Sequence, residues 1–257
     1  MTKHVKLGDL VPGVGWTSAL PGIEFLTPWQ AFDYAVLAPG DTRRGDAGAG
    51  GVEQGYLVLD GQIELTAGPA IGSARGPGFI VGPIVGEHVL RNVGDGTARV
   101  LHVRVTVDAD ADAERMSKGA FDGALLTWRD AIHGGSGRIA TRHVLRPDDF
   151  YSTWTFLDHA VLGAGGSVGY HYHDALEECF VVLSGRGLMT IDDETFEVSP
   201  GSVTWQGIGQ AHGIYNPGPD ELDFLRVAVA QPDEEYTTID LHDDLVGRAP
   251  NRGERGI

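Results

Sequence analysis

An all-β fold of two tandem jelly-roll barrels joined by a short helical connector is what the sequence predicts. Three observations lead there. Apolar runs are short and rich in β-branched and aromatic residues; Gly, Pro, Asp and Asn bound them; and they recur at a nearly constant offset in the two halves of the chain. At 257 residues the chain has room for one large domain or two ordinary ones, since domains commonly run roughly 100–150 residues. Its 38 Gly and 13 Pro are scattered between the runs, as turns in a many-stranded protein would be.

The strand-like runs include 56–59, 62–65, 100–107, 154–162, 180–183 and 224–229. Helical periodicity stands out only over 111–126, which is taken as the connector, with Asp108, Asp110 and Asp112 keeping its start solvated.

The halves match residue by residue. Ala35, Val36, Leu37 and Gly40 recur as Ala160, Val161, Leu162 and Gly165, an offset of 125. After one extra residue in the first copy the offset becomes 124, and 56–61 then lies over 180–185. At that offset His88 meets His212, Asn92 meets Asn216, Val100 and Leu101 meet Phe224 and Leu225, and Val103 and Val105 meet Val227 and Val229. A tandem duplication follows, with copies near 20–106 and 145–231. Units of this size avoid exposed strand edges by closing into a barrel or a double-sheet jelly roll.

Charge narrows the partners. Lys and Arg number 19 against 36 Asp and Glu, a formal net charge of −17, with no basic stripe to neutralise phosphates. Nucleic acid and anionic membrane surfaces are therefore not expected partners. No apolar run approaches the roughly 20 residues of a spanning helix. Residues 1–22 lack the basic start and apolar block of a secretory signal. The single cysteine, Cys179, forms no internal disulfide, and a cytoplasmic location is expected.

The second copy carries His171-x-His173, then Glu178, then His212. Residues i and i+2 of a strand share a face, so His171 and His173 present two imidazoles to one point, while Glu178 and His212 arrive from other strands. Three neutral nitrogens and one carboxylate suit one divalent transition metal ion per chain. Iron or manganese is placed first, and nickel, zinc, cobalt and copper are also compatible. Around an octahedral ion this set leaves two positions for substrate, water or dioxygen.

The stretch Gly165-x5-His171-x-His173-x4-Glu178-x6-Gly185 resembles the first cupin motif at every defined position. Gly201-x5-Gly207-x-Gly209-x2-His212-x3-Asn216 resembles the second, with Gly207 where the family usually has proline, a departure at a turn and not at a ligand. The chain thus resembles a bicupin over most of its length. The resemblance implies metal ligation by His171, His173, Glu178 and His212. Glu177 competes for the carboxylate role, because the family allows three or four intervening residues. The spacing to Gly185 selects Glu178, and alternation turns Glu177 away, where it reads as a solvated surface acid.

In the first copy the histidine positions hold Asp46 and Gly48, or Ala47 and Ala49, depending on where the extra residue sits. Glu53 or Gln54 takes the carboxylate position, and only His88 remains of the three histidines. The expected organisation is a degenerate barrel over 1–106, a connector over 107–144, a metal-binding barrel over 145–231 and an extension over 232–257.

His4, His102, His133, His143, His159 and His242 read as ordinary hydrogen-bonded core or surface histidines. Cys179, next to a ligand on a strand, reads as a buried structural thiol. Trp154, Phe156, Asp158, Met189, Trp205 and Arg226 lie on strands expected to line the second barrel. Of these, Arg226, Trp205 and Phe156 are the candidate substrate contacts. Arg226 could grip a carboxylate with two N–H groups, or form a surface ion pair. No phosphate loop occurs.

The first functional expectation is a metal-dependent enzyme acting on a small polar molecule in the second barrel. Similarity to cupin dioxygenases, oxalate decarboxylases and isomerases favours an oxygenase-type oxidoreductase. The second is a non-oxidative hydrolase, lyase or isomerase. Gly169, Tyr170, Glu177 and the 183–187 turn look similar to the ureidoglycine aminohydrolases, bicupins that place their ligands differently. The third is a non-catalytic binding module. A homodimer is expected, as the usual symmetric assembly of soluble chains.

Overall fold

A computed structural model describes residues 3–45, 51–84, 86–107 and 114–250. The first half contributes β1 (His4–Lys6), β2 (Thr17–Ser18), β3 (Trp29–Leu37), β4 (Thr42–Gly45), β5 (Val52–Asp60), β6 (Gln62–Ala67), β7 (Ala70–Arg75), β8 (Gly78–Val81), β9 (His88–Asn92) and β10 (Ala98–Thr106). The middle of the chain adds β11 (Ser117–Ala120), β12 (Thr127–Asp130) and β13 (Arg138–Leu145). The second half supplies β14 (Trp154–Leu162), β15 (Ser167–His173), β16 (Leu176–Ser184), β17 (Gly187–Ile191), β18 (Glu194–Val198), β19 (Ser202–Gln206), β20 (His212–Tyr215), β21 (Leu222–Ala230) and β22 (Thr238–Asp240).

These strands build two double-sheet units. In the first, the sheet β11-β8-β5-β10-β3-β2 faces β4-β9-β6-β7; in the second, β1-β19-β16-β21-β14-β13-β12 faces β18-β17-β20-β15-β22. Each unit has its own core, with Leu37, Tyr56, Ile63 and Leu90 in the first and Phe180, Met189, Ile214 and Phe224 in the second. The β1 strand crosses to pair with β19 of the far unit.

The largest apolar cluster lies between the two big sheets and draws on both units, joining Leu57, Leu101 and Val103 to Val181, Leu225 and Val227. Strands such as β14 and β16 are therefore buried on both faces, which explains their unbroken apolar character. Truncating a fully buried leucine there, such as Leu225, would cost about 2–5 kcal/mol.

Duplication extends into the packing. Phe25 stacks on Trp29, and at offset 125 Phe150 stacks on Trp154. Trp29 Nε1 donates to the Ala31 carbonyl, as Trp154 Nε1 does to that of Phe156. Glu53 accepts from the backbone of Tyr151 and Ser152 and from the Ser152 hydroxyl (2.6 Å). Its counterpart Glu177 accepts from the backbone of Leu26 and Thr27 and from the Thr27 hydroxyl (2.6 Å). Glu177 is thus wholly buried, not the solvated acid that alternation suggested, because the outer face of β16 is covered by the other unit.

The helical connector is not present among the described residues. From 114 onward the segment forms β11, a short 3-10 turn (Gly123–Leu125), β12 and β13, which extend the edges of both large sheets. Gly119 and Gly123 weaken a helix there, and the sheet edges offer backbone partners that a helix would leave unpaired. Asp108, Asp110 and Asp112 lie outside the described residues, as do Asp46, Ala47, Gly48 and Ala49. No helix among the described residues is long and apolar enough to cross a membrane.

Candidate metal centre

β15 places His171 and His173 two residues apart on one face, β16 brings Glu178 and β20 brings His212. His171 and His212 are directly paired across β15 and β20. One donor atom from each of the four residues lies within 4.8 Å of the other three, and all four residues are buried.

Each ring is held from behind. His171 Nδ1 donates to the Gly169 carbonyl (2.7 Å) and His212 Nδ1 to that of Gln210 (2.9 Å). His173 Nδ1 meets the Thr238 hydroxyl at 3.0 Å. Carbonyls only accept, so the first two rings carry their proton on Nδ1 and turn the Nε2 lone pair inward. His212 Nε2 then faces Glu178 Oε2 at 3.2 Å, and His173 Nε2 faces it at 3.4 Å. His173 Nε2 and Glu178 Oε1 are buried without an aligned hydrogen bond. Lone pairs converging on a carboxylate repel unless a cation stands among them, so the donor set fits a divalent transition metal held by these four residues.

The electrostatics agree. Burial alone would raise the Glu178 pKa, but the Arg226 guanidinium beside it holds it well below the usual carboxylate range. Burial, helped by the neighbouring histidines, drives His171 well below the usual imidazole range. An ionised carboxylate beside neutral imidazole is the state a metal requires. The thiol of Cys179 is pushed up by burial and by Glu177 and Glu178, as befits an inert core residue.

Beside the ligands lies a cavity of about 240 Å³, lined among others by Phe156, Asp158, His173, Arg226 and Tyr236. Arg226 on β21 is buried, not a surface ion pair. Its NH2 donates to Asp158 Oδ2 (3.2 Å), its Nε lies 2.9 Å from Glu178 Oε1 without hydrogen-bond alignment, and its guanidinium covers the Phe156 ring at 5.0 Å. Arg226 and Phe156 therefore reach the cavity. Trp205 does not: it belongs to the core between the units. Its neighbours Gln206 and Thr204 share the opposite face of β19, joined by a 2.9 Å hydrogen bond. A Cβ at Gly207 would sit 2.8 Å from the Trp205 ring, which accounts for glycine at that turn. A wider groove of about 800 Å³ meets the cavity only at Tyr236 and holds none of the four ligands.

Several site residues come from outside the duplicated copy. His133, which takes a positive φ of 53°, stacks on His171 at 4.2 Å and pairs with Asp240 at 3.2 Å. His143 on β13 pairs with Asp158 at 2.7 Å. At the edge of the smaller sheet, β22 pairs with β15 so that Thr238 lies opposite His173 and Asp240 opposite His171, while Tyr236 meets the His173 ring edge-on. Isolated residues in a connector and an extension give no motif, so sequence spacing could not single them out.

In the first unit the described counterparts of His212, Glu178 and Arg226 are taken up by hydrogen bonds within that unit. His88 Nε2 donates to the Pro83 carbonyl and its Nδ1 meets the Tyr56 hydroxyl. Gln54 and His102, counterparts of Glu178 and Arg226 at offset 124, hydrogen bond at 2.9 Å.

The fold and this ligand cluster define a cupin with a metal-type centre in its second half. The Cupin domain family model (Cupin_2) matches residues 158–228. Over 98 residues, or 38% of the chain, an uncharacterized protein of Methanocaldococcus jannaschii is 33% identical and is covered to 78% of its length. The oxalate-binding protein of Thermotoga maritima is 28% identical over 98 residues, 38% of this chain and 81% of that protein. An oxalate decarboxylase of Lactobacillus farciminis superposes with a TM-score of 0.61 at 15% identity, over 94% of this chain and 89% of that one. The chain belongs to the cupin family.

Proposed function

We propose that the protein is a metal-dependent enzyme acting on a small carboxylate-bearing molecule in the second barrel, as an oxygenase-type oxidoreductase. One observation carries this reading: the four-residue ligand cluster opens onto a cavity in which a buried guanidinium, Arg226, stands beside the ligand carboxylate. Arg226 has N–H groups beyond those turned to Asp158 and Glu178, and these can bind a substrate carboxylate. Phe156 stacked on the guanidinium fixes its plane. The likeness to an oxalate-binding protein supports a small carboxylate as ligand. A metal ion of the iron or manganese kind would supply Lewis acidity and, with open positions, dioxygen binding. Burial of all four ligands excludes bulk water and strengthens every charge interaction in the site.

The test is oxygen dependence. Metal-loaded protein incubated with a panel of small carboxylic and hydroxycarboxylic acids is expected to consume dioxygen, and to stop when dioxygen is removed. Equal turnover under anaerobic conditions would replace this reading with the non-oxidative one, a lyase, isomerase or hydrolase. The His143–Asp158 pair at the cavity favours that second reading. Tight carboxylate binding without any turnover would leave a binding module.

A further inference from the structure

We propose that His143 is the proton-transfer residue of this cavity, with Asp158 as the residue that fixes its tautomer. The proposal rests on the reading that the cavity takes a small carboxylate beside a metal ion. His143 and Asp158 lie directly opposite on β13 and β14, and the register of the two strands shifts immediately after them. Such irregularities re-aim side chains at sites.

Asp158 is buried, and its two oxygens divide their work: Oδ1 meets His143 Nδ1 at 2.7 Å, and Oδ2 accepts from Arg226. A carboxylate flanked in this way accepts from Nδ1–H. The ring's lone pair is then on Nε2. This is the arrangement by which a carboxylate orients a histidine base and steadies the imidazolium it becomes. The His143 side chain is 49% exposed, open to a ligand, whereas Asp158 behind it is 2% exposed.

The other histidine–carboxylate pairs do not have this freedom. His159 is buried against Asp223 and does not line the cavity, and His133 is stacked on a metal ligand. The charged or titratable groups that share the cavity with His143 are Arg129 on β12, His133 in the β12–β13 turn, Asp158, His173, Arg226 and Tyr236.

For a 2-oxo acid with its carboxylate on Arg226, His143 Nε2 takes a proton from the carbon next to the carbonyl. The C–H electron pair becomes the C=C bond of the enolate, and the carbonyl π pair moves to oxygen. Return of a proton from His143 to the same carbon closes the cycle with no oxidant and no net change. In heavy water the cycle exchanges that hydrogen for deuterium.

The experiment uses pyruvate as probe with metal-loaded protein in anaerobic heavy water, following the methyl signal by proton NMR. Metal content and pyruvate affinity are measured separately by elemental analysis and calorimetry. Wild type is expected to exchange faster than the same metal without protein. His143→Gln should lower the protein-dependent rate by about 100-fold or more while metal and pyruvate still bind. Nitrogen NMR of the wild type should show His143 protonated on Nδ1. The proposal is overturned if His143→Gln exchanges as fast as wild type, if wild type binds metal and pyruvate without exchange, or if Nε2 carries the proton. Failure to bind either metal or pyruvate would instead overturn the underlying reading, and the proposal with it.

Discussion

Glu53 and Glu177 hold the same position in the two halves of the chain, and each binds the segment that leads into the other half. Glu53 receives the backbone and hydroxyl of Ser152, just before β14; Glu177 receives those of Thr27, just before β3. The exchange ties each large sheet to the chain entering its neighbour. Glu177 adjoins Glu178, so one end of the four-residue cluster is fastened to the interface between units.

Removal of one arm should loosen the whole chain without touching the ligands. Glu53→Ala leaves the Tyr151 and Ser152 donors unsatisfied, an expected loss of about 2–4 kcal/mol. Urea unfolding of the variant measures it, and metal content should stay at the wild-type level. A loss under about 1 kcal/mol would mean that water replaces the carboxylate readily.

On the edge strand β22, Thr238 holds the His173 ring by its Nδ1 atom. Groups of this kind commonly contribute 10–100-fold in metal affinity, so Thr238→Val should weaken binding by about that factor, and Thr238→Ser should restore it. Chelator competition reads the difference. Equal affinity in all three proteins would show that β22 only covers the site.

Stability should fall on the acid side of neutrality, with a contribution from the first unit. Burial, reinforced by Arg104 and His88, holds the His102 pKa well below its ordinary 6.5. As pH falls through about 6.5 the unfolded chain takes up a proton that the folded His102 refuses. The unfolded state then binds more protons, and stability drops from that pH down to the folded pKa. Urea midpoints between about pH 8 and pH 5 should show this, with a shallower slope in His102→Gln; an unchanged slope would exclude His102 as a source.

Arg226→Lys keeps the charge and loses the planar fork. Malonate affinity for the metal-loaded protein is expected to fall roughly tenfold, or about 1.4 kcal/mol. Calorimetry measures it, and an unchanged affinity would remove Arg226 from the carboxylate site.

The strands were legible in the sequence because their alternation and turn residues are local properties. The duplication was legible because two copies of one pattern survive at a fixed offset, as Asn92 and Asn216 show: each side-chain amide binds backbone carbonyls at the same turn. Other features depend on what packs where. β12 is exposed at every position and carries no burial pattern to detect. Glu177 misleads because alternation tells which face a side chain takes, and only the assembled units reveal that the outer face is covered. Trp205 follows the same rule in reverse, since its face of β19 meets Leu7 and the interunit core and not the cavity. The Glu53–Glu177 match at offset 124 was the available signal that both acids are internal. His143, Thr238 and Asp240 meet the site only through β13 and β22, whose pairing no motif announces.

The most direct test of the central claim is elemental analysis of protein purified without a histidine tag, beside the double variant His171→Ala/His173→Ala. One transition metal ion per wild-type chain and none in the folded variant is the expected result. No metal in wild type after reconstitution, or equal metal in the variant, would contradict a centre built from His171, His173, Glu178 and His212.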